Sequence, residues 1–468
     1  MPIYSTDGVY LSYAIGNDLG AAGGVWRNAD AVLIATELQA TDKLDAHQNL
    51  AIDYTDPETE ETGSMSSSQY KTRHTTGYKT GRVVLPMFLQ TGVPLYTLLG
   101  ACTSVDAVAE ITTVLCLAKV SCVDESTFHF FVSDGAGAQT EYYVWVNTDG
   151  AGADPNETGT VIEADISGAT TAIQVAAIIT PLIAAKANVG AADGGTATIT
   201  ITNAQLGGVT DCSSGEGTST GFTITVTTQG STTHTITLAS SQTPISYAIH
   251  FEKELSGQDV RYDFLGFMPN YWNLSCGDAK SRWKARQEFS AGFAYSKTTD
   301  GDLAEPTKDD TPIYEWNDLK HASGVLTVKY NGTALEFTVR SIDLTLSRTN
   351  QLWGVRDGTY PSEAFVSGMG LELLLEGNLT GNNVRTLMAT KPEDYAGTGL
   401  DVEIKFYKAT NNEWGISLGN LYLVPDKTIL NEIDWYERKT LRLMPLNSTT
   451  SVSSSVEDRK NKTYYEND

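Results

Sequence analysis

The chain holds 468 residues, 32 of them basic and 57 acidic, for a formal charge of -25, and 41% are hydrophobic. At about 100–200 residues per domain this length holds two or three domains with substantial cores, and the composition excludes a disordered or collagenous chain. The acid excess excludes tight association with a phosphate backbone, because such binding needs Lys and Arg to displace counterions.

No apolar run approaches the roughly 20 residues of a membrane helix, and the longest, 173–185, contains Gln174, Thr180 and Pro181. The start, Met1-Pro2-Ile3-Tyr4, lacks a basic region followed by an apolar one. No secretory signal is therefore expected, and assembly in the cytoplasm is the default.

Taken from the N-terminus, the first distinctive segment is 53–61, where Asp53, Asp56, Glu58, Glu60 and Glu61 precede a Ser, Gly and Thr tract that ends near Tyr78. Such a segment should be mobile in a lone subunit. Gly81 opens an apolar strand (Val83, Val84, Leu85) that leads to a short helix over 94–99, with Pro94 in its first turn and Gly100 past its end.

Between about Val105 and Gln242 the composition shifts: residues 111–240 carry 12 acidic side chains but 2 basic ones and are rich in Gly, Ala and Thr. This reads as an inserted α+β domain, with strands at 128–132 and 142–146, a helix over 170–186 kinked or broken near Thr180 by Pro181, and strands at 196–202, 222–227 and 233–238.

Beyond it a strand opens at Ser246. A long amphipathic strand then extends from Leu265-Gly266 to Tyr295, with Trp283, Ala285, Phe289, Ala291, Phe293 and Tyr295 on one face and Arg282, Lys284, Arg286, Glu288 and Ser290 on the other. Two alternating runs, 325–330 and 333–339, are joined by Asn331-Gly332, which suits a type I′ hairpin turn. In the next strand Ile342, Leu344 and Leu346 alternate with Asp343, Thr345 and Ser347. The polar stretch 448–468 reads as an arm that docks on a neighbour or stays disordered.

Spacing along the chain suggests a duplication. Gly81 and Gly370 each begin an apolar strand, Thr97-Leu98 and Thr386-Leu387 each lie in the helix after it, and both pairs are separated by 289 residues. Tyr247, Ile249 and Phe251 match Leu400, Val402 and Ile404 at a separation of 153, as Leu265-Gly266 matches Leu418-Gly419. The shortfall between the two separations is about the length of the acidic insert. The expected fold is mainly β: two tandem antiparallel β-barrel or sandwich domains with short flanking helices, plus the insert. The expected boundaries are 1–104 and 243–310 for the first domain, 105–242 for the insert, 311–447 for the second domain and 448–468 for the arm.

This order of elements resembles the tail tube (major tail) proteins of long-tailed bacteriophages: the Gly-led strand and Leu-rich helix at 81–100, the strand from Ser246, and the Leu-Gly pair before an amphipathic strand. The second pass runs through 341–348 and Gly370-Leu371-Glu372 to Leu418-Gly419-Asn420. It is similar above all to siphophage tubes with two tandem copies per subunit. The stretch 141–155, with its Tyr142-Tyr143-Val144-Trp145-Val146 core, looks like a module that recurs in phage structural proteins, followed there by a helix such as 172–177.

The resemblance implies a non-enzymatic virion protein that self-assembles into a ring of three, or of six without the duplication. The rings stack into a hollow tube through which the genome is ejected, and the insert decorates the outside. It implies as partners the chain itself, a tape measure protein and viral DNA in the lumen, and tail terminator and tail tip proteins. Glu372, Glu376, Asp401 and Glu403, on predicted barrel strands, are candidates to line the lumen, where an acidic wall repels phosphates within about 10 Å at 0.1 M salt. Asp53, Asp56, Glu58, Glu60 and Glu61 are candidates for a loop that orders against the next ring.

The five cysteines, Cys102, Cys116, Cys122, Cys212 and Cys276, lack CxxC spacing and fit reduced thiols better than disulfides or zinc. The six histidines are scattered without i, i+4 spacing, and no GxSxG, HExxH, Walker A or dinucleotide glycine motif occurs. No catalytic, cofactor or metal residues are therefore expected. Asn147, Asp149 and Asp154 around Gly150 and Gly152 read as an Asx/Gly turn, with calcium near Asp149 left open. Two alternatives stand beside the tube: a virion surface or receptor-binding protein with a glycan-binding insert, and an acidic β-structured polysaccharide hydrolase, because carboxylate spacing is a three-dimensional property.

Overall fold

The computed structural model describes residues 9–16, 51–55, 59–63, 72–76 and 80–458, the last without 136–137, 216–217, 240–245, 256–257, 280–281, 294, 301–311, 356–360, 382, 396–398, 410 and 426–437. The fold is mainly antiparallel β with few helices. The chain begins with β1 (Val9–Gly16), β2 (Ala51–Thr55), a hairpin of β3 (Thr59–Gly63) and β4 (Thr72–Thr76), and β5 (Thr80–Phe88). The hairpin replaces part of the expected mobile segment, because Thr-rich stretches suit a ladder that runs here from Thr59↔Thr76 to Gly63↔Thr72.

Helix α1 (Val93–Leu99) has Pro94 in its first turn and all seven residues buried. Gly100 ends it at φ 93, a left-handed conformation that glycine adopts without penalty, and its N–H bonds the Tyr96 carbonyl. Strand β6 (Gly100–Val108) follows at once.

The next strands are β7 (Ile111–Leu115), β8 (Ser126–Ser133), β9 (Gln139–Asn147) and β10 (Thr160–Asp165). After helix α2 (Ala172–Ala184) come β11 (Val189–Ala192), β12 (Thr198–Asn203), β13 (Ser213–Ser214) and β14 (Thr223–Thr228). They form two four-stranded sheets, β10-β9-β8-β13 and β11-β12-β7-β14. Their hydrophobic cluster draws only on residues between Val114 and Ile224 and is distinct from the larger cluster of the rest of the chain. A capping box between Thr171 and Gln174 starts α2. Of the kink or break expected near Thr180, the break does not occur: the Pro181 ring sits in the last turn, where it removes a single backbone bond, and the helix continues to Ala184.

The chain returns through β15 (Ser231–Leu238), which pairs with β6. It continues as β16 (Ser246–Leu255), β17 (Gln258–Gly277), β18 (Arg286–Phe293) and β19 (Tyr295–Asp300). The single strand expected from Leu265 to Tyr295 is thus two that reverse on each other. Gln287, which the expected pattern assigned to neither face, faces the core beside Ala285. It accepts from Trp272 Nε1 (3.2 Å) and donates to the Phe88 carbonyl (3.3 Å), which satisfies its amide there.

Helix α3 (Trp316–Lys320) precedes β20 (Val325–Tyr330), β21 (Thr333–Ala334), β22 (Phe337–Val355) and β23 (Pro361–Leu379). Asn331 and Gly332 take φ values of 46 and 77, as a type I′ turn requires. After α4 (Asn383–Ala389) the chain ends with β24 (Leu400–Ala409), β25 (Asn412–Leu423), β26 (Arg438–Pro445) and β27 (Ser451–Asp458). The expected C-terminal arm is therefore corrected over 451–458. Ser454, Val456 and Asp458 alternate inward, so the stretch pairs with β25 and β15 of its own chain. Residues 459–468 lie outside the described residues.

Strand pairing repeats between the two halves of the chain. In the first, β2 pairs with β5, β5 with β18, β18 with β17, and β17 also with β16 and β19, while β16 pairs with β1. In the second, β22, β23, β26, β25, β24, β27 and β20 take the same places in the same antiparallel sense. The register of β16 shifts between Tyr247 and Ile249, and that of β24 between Leu400 and Val402, the matching positions at a separation of 153. Helices α1 and α4 each follow the matching strand, β5 or β23.

The halves join where β22 pairs with β17, from Tyr271↔Ser347 to Gly277↔Ser341. This makes one long antiparallel sheet, β2-β5-β18-β17-β22-β23-β26-β25. A second sheet runs β20-β24-β25-β27-β15-β6. The main core contains Trp272, Leu274, Leu344 and Leu373 from the long sheet and Val402, Phe406, Trp414 and Val456 from the second. Trp272 stacks on Trp414 at 6.1 Å and 27°. Truncation of such a buried Trp to Ala costs about 3–5 kcal/mol.

Candidate functional site: assembly edges and an acidic face

Period-two alternation gives the long sheet one apolar face and one polar face. Leu371, Leu373 and Leu375 point into the core, so Glu372, Leu374 and Glu376 point away from it. Cross-strand pairing sets the polar residues in rows, one of which runs Glu288, Asn273, Thr345 and Glu372 across four strands. Asn273 Nδ2 donates to Asp343 Oδ1 (2.6 Å) and Thr345 Oγ1 (3.0 Å), and Ser341 Oγ donates to Glu376 Oε2 (3.0 Å). Arg442 on β26 forms an ion pair with Glu372. At this exposure the pair adds little stability and trims the negative field.

Of the four lumen candidates, Glu372 and Glu376 share this face. Asp401 and Glu403 are exposed on β24, in the second sheet. The structure does not bring the four together. It adds Glu288 and Asp343 to the face of Glu372, and both were legible as polar members of alternating runs. Among the loop candidates, Asp53 lies on β2 opposite Arg82, and Glu60 and Glu61 lie on β3 opposite Thr75 and His74. Asp56 and Glu58 lie outside the described residues.

Two strand edges stand out at the ends of the long sheet. Among the described residues β2 has one strand neighbour, β5, whereas its counterpart β22 lies between β23 and β17. At the other end, pairing of β25 with β24 stops at Leu421, while β26 continues alongside through Leu423. The Val424 N–H bonds the Arg442 carbonyl of β26, so the preceding amide points away from β26. That Leu423 N–H is taken by the Tyr395 hydroxyl at 3.0 Å. The matching edge of β17 carries β22.

The insert holds a buried ionisable group. His129, 2% exposed, contacts Glu141 Oε1 through Nδ1 (2.7 Å) and Glu157 Oε2 through Nε2 (2.5 Å), and Thr127 Oγ1 donates to the other Glu157 oxygen (2.7 Å). Burial opposes the charged imidazole, but hydrogen bonds and charge from the two carboxylates outweigh it and raise the His129 pKa. Tyr143 donates to Asp154 Oδ1 (2.7 Å), and burial with that bond pushes its pKa up to about 12. Asn147 Oδ1 accepts from Gly150 N, and Asp149 Oδ1 from Ala151 N, both at 2.8 Å, so these oxygens serve a backbone turn. Among the described residues no group of three or more His, Cys, Asp or Glu side chains could hold a metal ion.

All five cysteines are free thiols. Burial pushes Cys102 to about 11 and Cys116, Cys212 and Cys276 to about 12, which keeps them protonated and unreactive. Among the described residues no helix is long and apolar enough to cross a membrane. No protein-family model matches the chain, and no curated protein is significantly similar to it.

Proposed function

We propose that this chain is a structural subunit of a hollow tube, the tail tube of a long-tailed phage, that closes into a ring of three and stacks through the ring faces. The observation that carries the reading is the repeated four-strand unit of the long sheet, β2-β5-β18-β17 and then β22-β23-β26-β25, which among the described residues ends in β2 on one side and in the last residues of β25 on the other. A heterologous interface of this kind generates a closed ring when its rotation closes. Closure also removes the edges that otherwise invite uncontrolled pairing.

With eight strands per chain, three chains supply about 24 strands at ~4.8 Å spacing, hence a circumference of about 115 Å and a diameter of about 37 Å before tilt widens it. Such a barrel encloses a lumen wide enough for a duplex. The apolar face of the sheet packs under the second sheet, so the face with Glu288, Asp343, Glu372 and Glu376 turns to the lumen. There it would limit adhesion of DNA and of a tape measure protein during ejection. The insert, with its own core, projects outward, and the ring ends meet terminator and tip proteins. The subunit is assembled in the host cytoplasm and resides in the virion tail.

Negative-stain microscopy of the purified chain tests this reading. Long hollow tubes with a regular axial repeat support it, and a chain that stays in discrete solid particles at every concentration contradicts it.

A further inference from the structure

We infer that residues 148–159 of the insert form a strap, latched by a proton on His129, that covers an aromatic face of the β8–β9 sheet and lets go when that proton leaves. The inference concerns the insert alone and does not rest on the tube reading.

Alternation along β9 sends Tyr142, Val144 and Val146 into the core of the insert, and Tyr143, Trp145 and Asn147 to the opposite face. Tyr143 and Trp145 are nevertheless 2% and 3% exposed, although neither belongs to a hydrophobic cluster of the chain. The segment between β9 and β10 lies over them. Tyr143 donates to Asp154 Oδ1, the Ala153 N–H bonds Glu125 Oε1 (2.9 Å), and a Cβ on Gly152 would sit 3.3 Å from Trp145 Cζ3. Near the far end of the segment, Glu157 reaches both Thr127 and His129 on β8.

The latch follows from the number of protons on the ring. His129 meets a carboxylate at each nitrogen, Glu141 of β9 at Nδ1 and Glu157 of the strap at Nε2. These are the charged groups that act on it; β13 places Ser213 opposite, and Tyr143 stacks on the ring at 5.8 Å. An imidazolium donates to both carboxylates, whereas a neutral imidazole has one N–H and turns a lone pair toward the other. Glu141 is held in β9 opposite Phe131, while Glu157 lies in a segment that joins no ladder, so the contact that yields is that of Glu157. Because the two carboxylates raise the His129 pKa, the strap is held below the ordinary value of about 6.5 and let go as pH climbs through the folded value. Release bares Tyr143 and Trp145, an aromatic contact face that the insert hides in acid.

Hydrogen exchange of the full chain tests this, with rates corrected for the pH dependence of the intrinsic reaction and the His129 midpoint taken from its ring-proton NMR shifts. Protection of amides 148–159 should fall about tenfold or more across that midpoint, while α2, β8 and β9 keep theirs. Glu157→Gln should abolish the change, because the new amide can accept from Thr127 and donate to the bare Nε2, which keeps the strap closed above the midpoint.

Unchanged strap protection while His129 titrates overturns the inference. A loss shared by α2 and both strands overturns it too, since that is unfolding of the insert as a whole. So does a strap in Glu157→Gln that opens with pH like the original; where that variant does not fold, the comparison in the unaltered chain decides alone.

Discussion

His234 Nε2 lies 3.2 Å from Asp458 Oδ1, with both side chains buried, and the pair ties the strand that leaves the insert to the last strand of the chain. The other ring nitrogen of His234 meets Ser104 Oγ at 2.8 Å, so the contact reaches across β6, β15 and β27. The Ser231 hydroxyl donates to Glu457 Oε1 (2.9 Å), and Asn411 Nδ2 to the Gln229 carbonyl (2.5 Å). The insert interrupts the first half in sequence yet is rooted on the second half. It therefore acts as a clasp across the two.

Breaking that clasp should be costly. Asp458→Ala leaves a buried imidazole without its carboxylate, and such losses cost on the order of 3 kcal/mol. Urea unfolding should show the midpoint fall with little change in slope. An unchanged midpoint would mean that β27 is held by its backbone ladder alone.

The root also fixes where the insert can be removed. Replacing 109–230 with Asn-Gly rejoins Val108 to Ser231, which are already paired, and retains β15. That variant should stay soluble and assemble like the full chain. Deleting 110–240 also strips β15 from β27 and exposes its edge, so it should aggregate. Equal behaviour of the two deletions in sedimentation and microscopy would contradict this root.

The insert should lose stability as pH rises. The His129 pKa is raised in the folded state, so its contribution is complete below the ordinary value of about 6.5 and disappears as pH climbs through the folded value. The melting temperature of the insert transition should fall as pH rises above about 6.5. His129→Gln should flatten the dependence. A melting temperature that holds or rises above that pH in the unaltered chain would refute a charged His129 between Glu141 and Glu157.

The polar face should repel nucleic acid. Unaltered tubes should not retain duplex DNA at about 0.1 M salt, whereas Glu288→Lys with Glu376→Lys should retain it with a steep salt dependence. Retention by the unaltered tubes, followed by anisotropy of labelled DNA, would remove the proposed role of these carboxylates.

Much of the frame was legible because it rests on local signals: the Asn331-Gly332 turn, Pro94 and Gly100 around α1, and alternation in β22 and β23. What escaped depends on partners distant in sequence. Nothing local in Ser451–Asp458 announces β27, since its serines become strand residues only between β25 and β15. Glu372 and Asp401 looked alike as alternating acids, and only topology assigns them to different sheets. Gln287 falls in step with Trp283 and Ala285, but nothing local shows what satisfies a buried amide there; that partner is Trp272, on another strand.

A cryo-electron-microscopy map of the assembled chain tests the central claim most directly. The account predicts a ring of three chains in which the long sheet runs without interruption around an open lumen, with the β2 edge of each chain against β25 of the next. A particle without a central passage, or rings whose β2 edges are covered by their own chain, would contradict it.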